Sequence, residues 1–408
     1  MCGWTRSGLA WAVLLAAVTG CLTASPQTLN QNSGPWVMER SGTTAGLRGI
    51  HAVGGGVAWA SGTNGTVLRT EDGGYEWQSC AMPPGAEKLD FRGVWAWDDN
   101  TAMVMASGTG DASRLYKTTD GCSSWKLVFT DPDKDGFFDA LLFLDRKHGI
   151  VLGDPAHGGG NPVEGEYFTF RIRVTDDGGD VWAPVVDPEF GHPGVNLQPL
   201  PGEAFFAASD TSMAMAGDFL LLGTSRDRVL RRRLAIGHRP GDFAAAYCAG
   251  AVDPTSLSCG IPWLGWVSSP APLAQGAQSA GIFSVAFRDA DYGVVVGGDY
   301  MKPNDSTGTA AWSADGGKTW TAAEKAPHGY RSAVAWDADA KAWIAVGTNG
   351  SDISYDDGRT WQALDGPATG GNWNALSLPW VVGPDGRIAK LDPGRLPGPP
   401  KRPQPAKP

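Results

Sequence analysis

The feature that most constrains the fold of this chain is a repeated eight-residue pattern, Ser/Thr-x-Asp-x-Gly-x-x-Trp, called here the hairpin motif. It occurs at residues 70–77, 175–182, 313–320 and 354–361, and a fifth copy at 118–125 carries Cys122 where Gly is expected. Asp and Ser/Thr side chains hydrogen-bond turn amides, Gly takes positive φ, and Trp covers apolar gaps between neighbouring sheets. The motif therefore predicts hairpin turns. A structural role is assigned to its carboxylates, Asp72, Asp120, Asp177, Asp315 and Asp356.

A second repeat consists of an aromatic residue or Leu at the start of an apolar strand. Its second residue falls at positions 48, 92, 139, 207, 284, 331 and 374, so the spacings are 44, 47, 68, 77, 47 and 43 residues. Four spacings match one four-stranded blade, and the other two indicate insertions. Seven such strands predict an all-β, seven-bladed β-propeller over residues 35–393, with an insertion at about 226–280 in blade four.

The ends of this repeat array predict how the propeller closes. After Leu391 no fourth strand remains for the last blade, so we expect residues 35–40 to supply its outer strand, which leaves no long edge unpaired. Blade four lacks the hairpin motif, and either Trp263 or Trp266 is expected to fill the place of the missing Trp.

The N-terminus reads as an export signal. Residues 9–18 are apolar, too short to span a bilayer comfortably, and follow Arg6. Val18-Thr19-Gly20-Cys21 resembles a bacterial lipobox, which predicts a signal peptide over residues 1–20, acylation of Cys21 and a tether over residues 21–34. The protein would then be an extracytoplasmic lipoprotein, periplasmic or facing the outer membrane. The alternative is ordinary cleavage near Ala24, with Cys21 discarded. The proline-rich residues 394–408 are expected to be a disordered tail.

Four further cysteines are expected to form disulfides in an oxidising compartment. Three pairings are possible. We favour Cys248 with Cys259, which would staple the blade-four insertion, and Cys80 with Cys122 then follows by elimination.

Charge and motifs exclude several functions. The net charge of −10 argues against a generic nucleic-acid binder. The chain has no hydrolase elbow or phosphate loop, and its six His lack zinc-ligand spacing. Residues 131–136 copy the opening of a calcium loop, but Leu142 occupies its twelfth position. We therefore expect neither a metal nor a cofactor.

The candidate site is the central opening. In a propeller, the starts of inner strands and the turns after second strands share one face around it. We place nine residues there, and three converging guanidiniums would form a clamp for carboxylate or phosphate. The alternative is that Arg and Asp pair across the opening. The nine are Arg48, Arg92, Arg331, Asp139, Asp154, Asp218, Asp299, Tyr300 and Asn374.

The hairpin motifs resemble the Asp-box, or BNR repeat, of sialidase-like propellers. Along residues 35–393 the chain also resembles bacterial YVTN/BNR-like propellers related to photosystem II stability and assembly factors. That resemblance implies an Arg-lined surface, here Arg48, Arg92 and Arg331, that holds a membrane-protein segment during assembly. We therefore predict a membrane-anchored, monomeric scaffold for a protein partner.

An enzymatic alternative is a sialidase-like glycoside hydrolase acting on an anionic sugar. That family needs an Arg triad, a Tyr nucleophile and an Asp acid/base, for which Tyr300 beside Asp299 is available. However, residues 170–173 only half resemble the family's Arg-Ile-Pro signature, and they directly precede a hairpin motif.

Overall fold

The computed structural model describes residues 34–157, 168–185, 199–234, 263–365 and 371–400, and these residues form seven four-stranded antiparallel sheets. The predicted signal peptide, Cys21, Cys248 and Cys259 lie outside the described residues. No helix among the described residues is both long enough and apolar enough to cross a membrane.

Six blades follow chain order, each built from four consecutive strands. Blade one is β2 (Leu47–Gly54), β3 (Val57–Gly62), β4 (Val67–Thr70) and β5 (Gln78–Ser79). Blade two is β6 (Phe91–Ala96), β7 (Ala102–Ala106), β8 (Arg114–Thr118) and β9 (Lys126–Thr130). Blade three is β10 (Phe138–Phe143), β11 (Gly149–His157), β12 (Phe168–Thr175) and β13 (Ala183–Pro184). Blade four is β14 (Met213–Ala216), β15 (Phe219–Gly223), β16 (Arg228–Leu234) and β17 (Trp263–Pro270). Blade five is β18 (Ala280–Phe287), β19 (Gly293–Asp299), β20 (Ala310–Ser313) and β21 (Thr321–Ala322). Blade six is β22 (Ala333–Asp337), β23 (Ala342–Gly347), β24 (Gly350–Ser354) and β25 (Gln362–Asp365).

Blade seven combines both ends of the described chain. It contains β26 (Ala375–Ser377), β27 (Trp380–Val382) and β28 (Ile388–Leu391), and β1 (Trp36–Glu39) pairs antiparallel with β28. The carboxylate of Glu39 accepts the indole N–H groups of Trp77 and Trp380 at 2.7 and 3.1 Å, which links blade seven to blade one. The fold is therefore a seven-bladed β-propeller.

Each hairpin motif joins the third and fourth strands of its blade by one set of hydrogen bonds. The Ser/Thr hydroxyl donates to the Asp carboxylate at 2.8–2.9 Å and accepts the amide four residues on at 2.9–3.1 Å. The same carboxylate also accepts a later backbone amide of the turn at 2.9–3.1 Å. Because the motif carboxylates accept these bonds, their role is to stabilise the turn.

The Trp of each motif packs into the apolar layer between its own blade and the preceding one. Trp77, for example, meets Trp380 of blade seven, and Trp125 meets Trp59 of blade one, both edge to face. Blade four has no motif, and Trp266 of β17 is buried in the cluster shared by blades three and four. The side chain of Trp263 lies outside the described residues.

The hairpin motif at residues 118–125 contains Cys122, which lies next to Cys80. The sulfur atoms of Cys80 and Cys122 lie 2.06 Å apart, with their Cα atoms at 5.3 Å. Cys122 has a φ of 62°, in the region that the other motifs fill with Gly. The contact joins the turn of blade two to the segment leaving blade one.

The inner strand of blade four lies at other residues than predicted. Residues 206–208 form no strand, and the inner strand is instead β14, Met213–Ala216. Residues 206–208 are apolar, as in an inner strand, because they belong to a segment that packs at the centre of the propeller, described below.

Residues 392–397, at the start of the predicted tail, make contacts of their own. Pro393–Arg395 form a 3-10 turn, capped by the carboxylate of Asp392, and the hydroxyl of Tyr355 donates to the carbonyl of Pro397. The described chain continues to residue 400, within the tail predicted over residues 394–408.

Candidate functional site

A cavity of about 430 Å³ opens at the centre of the propeller, where inner strands begin. Arg48, Arg92 and Asp139 are the second residues of β2, β6 and β10, and the repeat places them at equivalent positions around the opening. Six of the nine predicted site residues line this cavity: Arg48, Arg92, Asp139, Asp154, Tyr300 and Asn374.

The cavity is also lined by residues 205–208, which belong to a segment, residues 205–212, that crosses the centre before β14. Three consecutive residues of this segment bond to three different blades. Ser209 Oγ donates to the Ser332 carbonyl at 2.7 Å, Asp210 Oδ1 accepts the Leu141 amide at 2.6 Å, and Thr211 Oγ1 donates to Ser284 Oγ at 2.8 Å. The sequence prediction missed this crossing segment, since residues 206–208 were assigned to a strand.

Two guanidiniums share one carboxylate at the wall formed by blades one and two. Arg92 Nε donates to Asp90 at 2.9 Å, and Arg48 Nε lies 3.7 Å from the other oxygen of Asp90. The side chains of Arg48 and Arg92 keep 36% and 30% of their surface exposed, so both remain accessible to a ligand. Asp90 is not among the residues predicted from the sequence, although it stands two residues before Arg92, at the entry to β6.

Two carboxylates line the neighbouring wall. Asp139 is 1% exposed, and neither of its oxygens accepts a hydrogen bond from the described part of the chain. Burial raises the pKa of Asp139 well above its usual value; the nearby charge of Asp154 adds to this and that of Arg92 opposes it. Asp154 accepts the Phe205 amide at 2.9 Å, and burial raises its pKa as well.

The opposite wall is aromatic. The rings of Phe206 and Phe283 stack at 3.7 Å, and Tyr330 meets Phe283 edge to face at 4.8 Å. Tyr300 packs against both Phe283 and Tyr330 and remains 47% exposed at the rim. Phe283 and Tyr330 belong to the aromatic repeat that marks inner strands, so their recurrence was the signal that could have placed them at the opening.

Asn374 lines the cavity and also ties two blades together. Its side-chain amide donates to the Leu47 carbonyl at 2.7 Å, across the junction of blades seven and one. One side-chain N–H is thus committed to the fold.

Arg331 does not join the other two arginines. Its side chain is fully buried and bonded to Asp352, to Asn349 and to the carbonyl of Tyr330. Arg331 lies two residues before β22, and its bond to Asp352 directs its side chain towards β24. The predicted clamp of three guanidiniums is therefore reduced to Arg48 and Arg92.

Two of the predicted carboxylates lie elsewhere. Asp218 lies in the turn between β14 and β15, at the end of the blade that carries the hairpin motifs, and it pairs with Arg233 at 3.3 Å. Asp218 was misplaced because Met213–Ala216 is the first strand of blade four and not its second, as predicted. Asp299 ends β19 but lines a separate groove with Lys302, 3.4 Å away.

Other groups named by sequence are paired among themselves. Arg171 contacts Asp133, and Arg173 lies 3.4 Å from Asp131, so the calcium-like loop is bound by two guanidiniums. No group of three or more His, Cys, Asp or Glu suited to a metal occurs among the residues described by the structure. The arginine triad required by the glycoside hydrolase alternative is not assembled at the opening.

Comparison with known proteins bears on the fold. No protein-family model matches the chain, and no curated protein matches it in sequence. A solved structure titled YCF48 bound to D1 peptide is similar with a TM-score of 0.54 at 16% identity, covering 88% of this chain and 96% of that one. YCF48 from Cyanidioschyzon merolae gives the same score and identity, covering 88% and 99%. At this identity the similarity shows a shared β-propeller fold, in agreement with the seven sheets.

Proposed function

We propose that the protein is an extracytoplasmic, membrane-anchored propeller that binds a segment of a protein partner at its central cavity. The observation that carries this proposal is the two-sided lining of that cavity. One wall contains the partly exposed guanidiniums of Arg48 and Arg92 together with carboxyl groups, and packed aromatic rings form the other. Interfaces between proteins are enriched in Arg and aromatic residues, which bury apolar area while keeping polar groups paired.

Three further observations support the proposal. The hairpin-motif carboxylates are occupied in turns, which leaves the opposite end of the blades for recognition. A protein of similar fold carries a D1 peptide in its solved structure. The lipobox-like sequence before Cys21 would hold a monomeric propeller at a membrane surface, so that photosystem-type assembly is one specialisation of this role.

Site-specific photo-crosslinking tests the proposal. A benzoylphenylalanine probe replaces Tyr300, at the cavity rim, in cells that make the full-length protein. The matched control carries the probe at Tyr75, which is 94% exposed at the hairpin-motif end. We expect a discrete protein adduct from position 300 alone.

Charge removal makes the test specific to the cavity. The Arg48→Ala/Arg92→Ala pair should abolish the adduct. The matched pair Arg146→Ala/Arg233→Ala removes two exposed arginines from the hairpin-motif end and should retain it. Equal labelling from positions 300 and 75, or an adduct that survives loss of Arg48 and Arg92, would contradict the proposal.

A further inference from the structure

The charges around the cavity do not favour an anion alone. Asp90 already bridges Arg48 and Arg92, and Asp139 and Asp154 line the adjoining wall. Of these three carboxyl groups only Asp90 holds an arginine through a hydrogen bond, and Asp139 and Asp154 line the cavity itself. A positive group bound beside Asp139 and Asp154 would favour their ionised forms, in a site where charges are weakly screened.

Asp139 is the informative member of this set. It lines the cavity at 1% exposure, and both of its oxygens lack a hydrogen-bond donor within the described part of the chain. The backbone amide of Asp154 donates to the Phe137 carbonyl at 3.0 Å. Buried polar groups are normally satisfied, and one that is not calls for an explanation. A bound donor is such an explanation.

Asp154 and the aromatic wall supply the rest of a cation site. Asp154 accepts the Phe205 amide through Oδ1, which leaves Oδ2 for a ligand. Tyr300, Phe283 and Tyr330 line the same cavity, and aromatic faces attract ammonium and guanidinium groups while covering their aliphatic stems. Burial is the first cause of the elevated pKa of Asp139, and the charge of Arg92 opposes it only in part.

We infer that the central cavity binds an alkylammonium or guanidinium group. Asp154 would contact the cation directly, Asp139 would lie behind Asp154, and the aromatic wall that includes Tyr300 would surround the aliphatic stem of the ligand. The inference rests on the proposed function only for the source of the cation, which would be a Lys or Arg side chain of the partner. A free aliphatic amine has the same chemistry and is the other source.

Ligand-observed NMR on the full-length protein tests the chemistry with three probes of equal length: hexylammonium, hexanol and hexanoate. We expect hexylammonium to bind at least about tenfold more tightly than hexanol. Asp154→Asn and Asp139→Asn should each weaken hexylammonium by about tenfold and leave hexanol unchanged. Tyr300→Leu should weaken it several-fold, and Asp218→Asn, at the hairpin-motif end, should have no effect. Thermal melts confirm that each variant folds.

A blocked pentapeptide with Lys between glycines, compared with its norleucine counterpart, separates the two sources. Preferential binding of the Lys peptide supports a partner side chain, and binding of hexylammonium without the Lys peptide supports a free amine. Tighter binding of hexanoate, or unchanged hexylammonium binding in Asp154→Asn, overturns the inference. A crosslinked partner at position 300 without any amine binding would contradict this inference and leave the proposed function intact. Amine binding without a crosslinked partner would support this inference and contradict the proposed function.

Discussion

The guanidinium of Arg331 lies against the carboxylate of Asp352, with Nε 2.8 Å from Oδ2 and both side chains at most 1% exposed. His328 and Asn349 complete the surroundings of this pair. The contact joins the entry of β22 to the middle of β24 within blade six. It is a structural pair, and it keeps the guanidinium of Arg331 out of the central cavity.

Breaking this pair should destabilise the propeller. Arg331→Ala leaves the buried carboxylate of Asp352 without its charge partner, which costs about 3–5 kcal/mol. The double variant Arg331→Met/Asp352→Leu should recover much of that loss, because no unpaired charge remains. Denaturant unfolding measures both. As a control, Arg233→Ala removes an exposed pair and should cost less than about 1 kcal/mol. A small effect of Arg331→Ala would contradict the buried-pair assignment.

The same pair predicts a loss of stability in acid. Burial by itself would raise the pKa of Asp352, but the hydrogen bond from His328 and the charge of Arg331 hold it below its usual value. The folded chain therefore releases this proton at lower pH than the unfolded chain. Its contribution is present above the unfolded pKa, near about 4, and is lost as pH falls through the folded value. The difference in unfolding free energy between wild type and Asp352→Asn should shrink over that range; a constant difference would contradict the prediction.

Asp139→Asn should stabilise the protein at neutral to alkaline pH. Burial raises the pKa of Asp139 well above its usual value, so the folded chain holds this proton to higher pH than the unfolded chain. Stability from Asp139 is complete below the unfolded pKa and is lost as pH rises through the folded pKa. Removing the ionisable group should add about 1–3 kcal/mol at pH 8 relative to wild type, with little change near pH 4. Unfolding midpoints of wild type and Asp139→Asn at pH 8 and pH 4 test this prediction. A destabilised variant at pH 8 would contradict it and would indicate a structural role for the Asp139 carboxylate.

The pairing of Cys80 with Cys122 predicts a redox-sensitive link between blades one and two. Cys80→Ser should lower the unfolding free energy by about 2–4 kcal/mol under oxidising conditions. Cys122→Gly loses the same bond but places Gly at a φ of 62°, so its loss should be smaller by about 0.5–1 kcal/mol. Peptide mapping without reductant should recover the linked peptides. Equal stability of wild type with and without reductant would count against the bond.

The proposed anchor predicts where the protein sits. Cys21→Ser should move it from the membrane fraction to the soluble extracytoplasmic fraction and abolish labelling by a fatty-acid analogue. The lipobox variant Gly20→Leu tests processing, and Cys80→Ser serves as a control that leaves Cys21 intact. Wild-type protein without lipid label, cleaved near Ala24, would instead support ordinary signal-peptide processing.

The repeats in the sequence were sufficient to determine the architecture. Hairpin motifs and inner-strand starts recur with the period of a blade, and local turn chemistry together with alternating apolar residues specifies each hairpin wherever it occurs. The same symmetry placed Arg48, Arg92, Asp139, Asp154, Tyr300 and Asn374 at the opening.

Tertiary structure decided which of the predicted groups line the central cavity. The burial of Arg331 depends on Asp352, and the bridging of two arginines depends on Asp90; both are side-chain contacts that no repeat period encodes. Residues 206–208 resemble a strand because a segment that crosses a buried centre needs apolar residues as a strand does, and this ambiguity misplaced Asp218. Local sequence sets turns and strands, whereas the pairing and burial of charges depend on which distant residues the closed ring brings together.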